Sequence, residues 1–248
     1  MDVAVGPGRA SPFFWHAEVR PGLRVAFTTV TAGNLALHVG DDADAVRDNR
    51  RRLERLMGVA AGSLRFMSQT HSDRVVVTGP VGRGAPDADG MVSADGAHPL
   101  AVLVADCVPV VLADASGPNG GTGATAVVHA GRAGVGNGIV GNAVGTLRGL
   151  GARDLSAWIG PSVCGSCYEV PEDMMRAMSL TLPQAASRTR VGTPALDLPG
   201  AVRHQLERAG VTVEQVSGGV PCTLENPSLF SHRREPGVGR IAGLVWRT

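Results

Sequence analysis

The sequence predicts an α/β or α+β fold: one domain, residues 1–248, of layered mixed β-sheets flanked by helices. Three observations predict it. Strand-like and helix-like segments mix along the whole chain, with no Pro/Ser-rich linker dividing it. The apolar runs 100–105, 108–113 and 124–129 are continuous rather than alternating, the pattern of strands covered on both faces. The 248 residues, 44% hydrophobic and 18% charged, suffice for one sizeable core.

Residues 1–22 are expected to form a less ordered N-terminal segment. They carry an early Asp2 and no apolar stretch of the signal-peptide kind. RVAFTTV (24–30) reads as a strand. Residues 42–57 read as a helix: Asp41 or Asp42 can cap it, Val46, Leu53, Leu56 and Met57 form its apolar stripe, and Gly58 ends it. Its other face, with Arg50, Arg51, Arg52 and Arg55, reads as solvated. LRFMS (64–68) and RVVVT (74–78) read as strands, followed by the three continuous runs. DASGPNGGTG (114–123) is a loop between the second and third of them. After His129 the chain turns through Gly131, Gly134, Gly136 and Gly138 into a helix near 139–150. A strand at 155–159 follows, then helices near 171–180 and 199–209, with Pro199 suited to a first helical position. Strands near 211–217 and 240–246 close the chain.

Composition excludes several chemistries. All 23 basic residues are Arg, against 22 acidic ones, for a formal net charge of +1. The absence of Lys removes Schiff bases, Lys bases and the Lys-bearing P-loop. A balanced charge argues against a nucleic-acid partner. No run of 18 apolar residues exists, so no membrane span is expected. The four cysteines, Cys107, Cys164, Cys167 and Cys222, are expected as reduced thiols in a cytoplasm.

Three residues sit where strands end. His71 lies in SQTHSDRV between two strands, Cys107 at the break in VADCVPV, and His129 where a strand meets a Gly-rich turn. Rigid strands present such side chains to a cleft. If the three converge, two His and one Cys give three zinc ligands with a fourth position open, the catalytic pattern. The same trio would also serve as a Cys nucleophile with a His base. Asp106 is placed to orient a His, or simply to end a strand. Cys164-x-x-Cys167 as half of a structural zinc site would need Cys222 and a distant His; with no second CxxC, the motif reads as an ordinary loop. Gly136-x-Gly138-x-x-Gly141 matches a dinucleotide fingerprint but lacks the strand immediately before it and the acidic residue after it. The amides after His129, at a helix start, offer an anion site.

The set QTH (69–71), ADCVP (105–109), HAGRAG (129–134), IGP…CYEV (159–170), CT (222–223) and FSHRRE (230–235) resembles one family. It is the YfiH family, also called laccase-domain or multicopper polyphenol oxidoreductase proteins, whose members act as purine nucleoside phosphorylases. NLALHVGDD (34–42) and DNR (48–50) resemble its start. The resemblance implies a YfiH-like fold and a cytoplasmic enzyme with zinc on His71, Cys107 and His129. It implies phosphorolysis of adenosine, inosine, guanosine and methylthioadenosine, and hydrolytic deamination of adenosine, so purine nucleosides and phosphate as ligands. Nothing resembles the several His-rich clusters of a multicopper oxidase, so copper is not expected. Matching motifs add Gln69, Asp106, Arg50 and Arg233 as substrate or phosphate contacts. Two positions depart from the family. HAGWRG becomes HAGRAG, placing Arg132 at the Trp position and Ala133 at the Arg position, and Val30 stands where an N-terminal Arg is usual. Arg132 is the adjacent substitute, and phosphorolysis is the half of the activity these departures touch. The competing readings are a metal-free Cys-His hydrolase and a non-catalytic accessory protein with a vestigial pocket.

Overall fold

The computed structural model describes residues 11–79, 84–114 and 121–248. Its strands are β1 (Phe13–Arg20), β2 (Leu23–Thr28), β3 (Val75–Val77), β4 (Gly90–Ser93), β5 (Leu100–Val104), β6 (Val108–Asp114), β7 (Thr125–Ala130), β8 (Leu155–Ile159), β9 (Ala186–Arg188), β10 (Pro194–Leu196), β11 (Thr212–Glu214) and β12 (Ile241–Arg247). Its α-helices are α1 (Ala43–Met57), α2 (Arg132–Asn137), α3 (Ile139–Gly149), α4 (Glu172–Thr181) and α5 (Leu198–Arg208).

Two sheets dominate. The smaller, in the order β1-β2-β12-β5, is antiparallel throughout. The larger, β11-β8-β6-β7-β4-β3, is antiparallel at its centre and gains one parallel pair at each edge. Side chains alternate across each strand. From β5, Leu100, Val102 and Val104 enter the core between the sheets, while Ala101 and Leu103 face the layer that holds Leu53 and Met57 of α1. From β6, Val111 and Ala113 face the inter-sheet core; Val110 and Leu112 face Ile139, Val144 and Leu147 of α3 and Val202 and Leu206 of α5. The result is four layers, helix–sheet–sheet–helix. Both faces of β5, β6 and β7 are buried, which is why their sequences are apolar except at Asp114, Thr125 and His129.

Several expected elements shift. The strand at 24–30 ends at Thr28, because the Thr29 hydroxyl accepts from Thr31 N and caps a short 3-10 turn. Within the expected less ordered 1–22, Phe13–Arg20 is a strand paired antiparallel with β2; residues 1–10 lie outside the described residues, as do 115–120 of the expected 114–123 loop. The strand at 64–68 forms only isolated bridges, Arg65 to Leu100 and Ser68 to Asp87. The edge of β5 is covered by the Arg65 backbone, bonded to Pro99 O and Ala101 N, and by the side chain of Gln69 just after that segment. The Gln69 amide nitrogen donates to Leu103 O (2.7 Å), and its amide oxygen accepts from Leu103 N (2.9 Å), imitating a ladder rung. α2, β4 and the β9–β10 hairpin are additional to the expected elements.

In α1 the cap is Asp42, whose Oδ1 accepts from Asp44 N and Ala45 N, and Gly58 takes the left-handed conformation that ends it. Leu56 does not belong to the apolar stripe: it is 52% exposed. Glu54 is buried instead, because its carboxylate accepts from Gly62 N (2.9 Å) and Leu64 N (3.0 Å). Arg50 is not solvated either. Its Nε and Nη2 both donate to Leu35 O, and its guanidinium lies 3.7 Å from the centre of the Phe66 ring. In α5, Asp197 caps the helix and Pro199 is its second residue, not its first.

Candidate metal centre

β5 and β6 belong to different sheets, and residues 105–107 make the crossing between them. So short a crossing needs a sharp turn, and Asp106 supplies it with φ +88°, a region non-glycine residues rarely occupy. Two bonds to its side chain hold it there: Thr223 Oγ1 donates to Oδ1 (2.6 Å) and Arg233 N to Oδ2 (2.7 Å). The turn delivers Cys107 to the layer boundary. His129 is the penultimate residue of β7, and His71 sits on the loop before β3. His71, with φ +61°, is the other non-glycine residue at positive φ among the described residues. Both strained positions flank this one site.

The three side chains converge. One nitrogen of each His and the Cys107 sulfur all lie within 4.8 Å of one another. His71 Nε2 is 3.6 Å from Cys107 Sγ, and the two imidazole rings meet edge to face at 4.7 Å between centres. His129 is buried, Cys107 is half-buried and His71 is exposed, so the group opens to solvent on one side.

One carboxylate organises the group, and it is Asp89 rather than Asp106. Asp89 precedes β4, directly across from β7, and is fully buried. Its Oδ1 lies 2.7 Å from His129 Nδ1 and accepts from His71 N (3.0 Å). Its Oδ2 accepts from Thr70 N, Ser72 N and Ser72 Oγ. It thus holds the strained His71 loop and anchors Nδ1 of His129, leaving Nε2 of that ring for a ligand. Although burial works the other way, the bonds from His129 and Ser72 hold its carboxyl well below the usual carboxylate range. Burial likewise raises the Cys107 thiol, but the charge of His129 and bonds from both histidines pull it down to about 6. Burial lowers His129, and Cys107 and Asp89 more than reverse this, to about 9. Cys107 and His129 therefore form a thiolate–imidazolium pair in the metal-free protein.

Gly131 follows from this packing. A Cβ there would stand 2.5 Å from Cδ2 of His71 and 3.2 Å from the Cys107 sulfur. Gly131→Ala is expected to rotate the exposed His71 ring out of place and to weaken metal binding by about tenfold or more, the scale seen when a ligand loses its support. The fold should tolerate the change, with a melting temperature within a few degrees of the parent. A metal-binding titration beside a thermal melt checks both halves.

The wall beside the trio is basic and aromatic. Arg233 lies 4.9 Å over the Tyr168 ring and donates to Glu169 O. Burial and then the Cys107 charge push the Tyr168 phenol up, while Arg132 and Arg233 pull it back. Burial, with Arg240, Arg50 and His129 adding to it, lowers His38, and the Arg240 guanidinium donates to Val238 O and Gly239 O. Of the expected contacts, Arg132 and Arg233 thus lie at the site. Gln69 is occupied at the edge of β5, Arg50 is bound to Leu35 O, and Asp106 serves its own turn. Asp89, Tyr168, His38 and Arg240 are additional. Their one sequence signal is that Tyr168 and His38 lie in CYEV and NLALHVGDD.

The glycine fingerprint is not a phosphate loop. Gly136 lies in α2, Gly138 joins α2 to α3 with φ +94°, and Gly141 lies inside α3. The expected anion site on the amides after His129 has only the six-residue α2 behind it, too short to build much of a dipole. Cys164, Cys167 and Cys222 do not remain incidental: they converge with Glu225 in a second ligand group.

Comparison with known proteins places the chain. Residues 24–248 match the family described as multi-copper polyphenol oxidoreductase laccase. A Mycobacterium tuberculosis protein named purine nucleoside phosphorylase is 44% identical over 216 residues, 86% of this chain and 84% of that protein. The crystal structure of a Neisseria meningitidis protein superposes with a TM-score of 0.80 at 30% identity, covering 96% of this chain and 99% of the other. That of a Bacillus licheniformis hypothetical protein, YfiH, gives 0.78 at 26% identity over 91% of this chain and 93% of its own.

Proposed function

Because the chain belongs to the YfiH family of multi-copper polyphenol oxidoreductase laccase proteins, we propose that it is a zinc-dependent purine nucleoside enzyme of the cytoplasm. Its reactions are phosphorolysis of adenosine, inosine, guanosine and methylthioadenosine, and hydrolytic deamination of adenosine. The relatives named purine nucleoside phosphorylase support the nucleoside class. No helix among the described residues is long and apolar enough to cross a membrane.

The observation that carries the metal reading is the donor set: two imidazole nitrogens and one thiol, mutually within 4.8 Å and open on one side. Three such ligands suit zinc with a fourth position free. Zinc held by His71, Cys107 and His129 would supply a Lewis acid and an acidified water. Laccase-type copper chemistry would need further His clusters, and the two ligand groups among the described residues contain His71 and His129 alone.

The chain's own residues do the rest. Asp89 keeps His129 Nδ1 engaged and its ring fixed. Arg233, over the Tyr168 ring, and Arg132, which follows Gly131 beside the trio, supply the positive charge for phosphate. In phosphorolysis a phosphate oxygen bonds to C1′ of the ribose as the bond from C1′ to the purine nitrogen breaks. A proton reaches the departing base, giving free purine and ribose 1-phosphate, or its 5-methylthio analogue from methylthioadenosine. Deamination replaces the 6-amino group with oxygen from water and releases ammonia, and it needs no phosphate pocket.

HAGRAG carries its one guanidinium on Arg132, with Ala133 where the family usually has Arg, so deamination is expected to outrun phosphorolysis. The assay follows inosine, adenine and hypoxanthine release from adenosine, with and without phosphate. Arg132→Ala should cut phosphate-dependent base release by about tenfold, one charge-assisted bond's worth, and spare inosine formation. Faster phosphorolysis than deamination, unchanged in Arg132→Ala, would refute Arg132 as the substitute.

The Cys107–His129 ion pair supports a second reading, a metal-free Cys-His hydrolase. Metal content separates the readings. About one zinc on this trio favours the nucleoside enzyme. No metal, with Cys107 rapidly alkylated at neutral pH, favours the hydrolase. Neither, with no turnover, leaves an accessory protein with a vestigial pocket.

A further inference from the structure

The mechanism above leaves three cysteines unused, and the fold brings them together on two matched turns. On the first, Cys167 N and Tyr168 N both donate to Cys164 O at 3.0 Å. On the second, Glu225 N (3.2 Å) and Asn226 N (3.0 Å) both donate to Cys222 O. Each turn therefore presents two ligand-type side chains three residues apart: Cys164-x-x-Cys167 and Cys222-x-x-Glu225. A bridge between Ser162 and Cys222, with Thr223 N donating to Ser162 O (3.0 Å), clamps one turn against the other. The three sulfurs and a Glu225 carboxylate oxygen all lie within 4.8 Å of one another.

We propose that Cys164, Cys167, Cys222 and Glu225 form a second metal site, a structural one, for a thiophilic divalent cation, zinc. Sulfurs bound to tetrahedral zinc at about 2.3 Å sit about 3.8 Å apart, so a small contraction of this cluster closes the shell. Cysteine pairs with two residues between them are the usual spacing of such sites, and a carboxylate is an accepted ligand. Cys164 N already donates to the Cys222 sulfur at 3.4 Å, the kind of amide–sulfur bond that supports a metal-bound thiolate. Three thiolates and a carboxylate overbalance a divalent cation by two charges. Arg190, ion-paired with Glu225, offsets one of them. Cys222 is buried, and the sulfurs of Cys164 and Cys167 are half-buried.

The site's work is positioning. Tyr168 follows Cys167 directly, and Thr223 follows Cys222 and bonds the carboxylate that holds the Cys107 turn. A cation joining the two turns fixes that wall and that turn from behind.

The test loads reduced protein with zinc, and separately with cobalt, and counts bound metal. The parent protein should hold two equivalents. Cys107→Ala should keep one, and its cobalt form should show thiolate-to-metal charge transfer in the near ultraviolet. Adding Cys167→Ser and Cys222→Ser should remove that equivalent and that band. Cys167→Ser with Cys222→Ser in the parent should keep one equivalent on the first trio and melt at a lower temperature. A Cys107→Ala protein that is folded, reduced and offered zinc yet binds none overturns the proposal. So does a disulfide among the three cysteines in protein isolated from cells with thiols trapped. If the Ser variants fail to fold, the cobalt spectrum of Cys107→Ala alone decides. Because the readout is metal on a protein without Cys107, its outcome is separate from that of the nucleoside reading.

Discussion

Cys107→Ala is expected to abolish turnover and to release the metal of the first centre, while the protein keeps its fold. Removing support for a ligand costs about 10–100-fold, and removing the ligand itself should cost more than about 100-fold in kcat/KM. The fold should survive because the β5–β6 crossing does not depend on the thiol. Its anchors are Asp106 O, which accepts from Val163 N (3.0 Å), and the Asp106 carboxylate, which accepts from Thr223 and Arg233. Elemental analysis, a nucleoside assay and circular dichroism on one preparation make the measurement. An equal loss from Cys164→Ala would move the chemistry to the other thiol group, and the assignment of Cys107 would be withdrawn.

Asp89→Asn should come next in effect, a 10–100-fold fall in metal affinity and in activity. The change is nearly isosteric, so packing is spared and the loss isolates hydrogen bonding. Asp89 accepts from three backbone amides, the Ser72 hydroxyl and His129 Nδ1. An amide oxygen can replace one carboxylate oxygen, but the NH2 group then faces N–H donors on the other side. Either the 70–72 loop gives way, carrying His71 with it, or His129 moves its proton to Nε2, where the metal needs a lone pair. Nitrogen NMR of the imidazoles distinguishes the two routes, and a metal titration sets the magnitude. Wild-type affinity in Asp89→Asn would mean that the carboxylate is an ordinary buried acceptor.

Cys107 and His129 were legible because they interrupt or end apolar strands, where hydrophobic patterning gives no reason for a polar or soft group; His71, on a polar loop, was legible through the QTH motif. Asp89 was not legible: two residues after Asp87, in the same short polar run PDADG, only the pairing of β4 with β7 separates a buried hub from a surface acid. Asp106 looked like the orienting group because it is next to Cys107 in sequence, but its positive φ turns the carboxylate toward Thr223 and Arg233 instead. The continuous runs at β5, β6 and β7 correctly implied strands covered twice. Leu56 and Glu54 exchanged their expected places because the amides of the 62–64 loop can bury a carboxylate, an option invisible to hydrophobic periodicity. The second ligand group escaped a search for paired CxxC motifs because half of it ends in Glu225.

The strand order β1-β2-β12-β5 has a consequence for how the protein is made. β12 lies between β2 and β5, although it is the last strand and its neighbours are among the first. During translation the ribosome emits β2 and β5 long before the strand that joins them, and neither edge has its partner. Val25, Phe27, Leu100 and Val102 lack the strand that joins β2 to β5 until β12 has left the exit tunnel, so this sheet cannot close before every other strand has been made. With so many contacts between distant parts of the chain, closure of this sheet is expected to be slow.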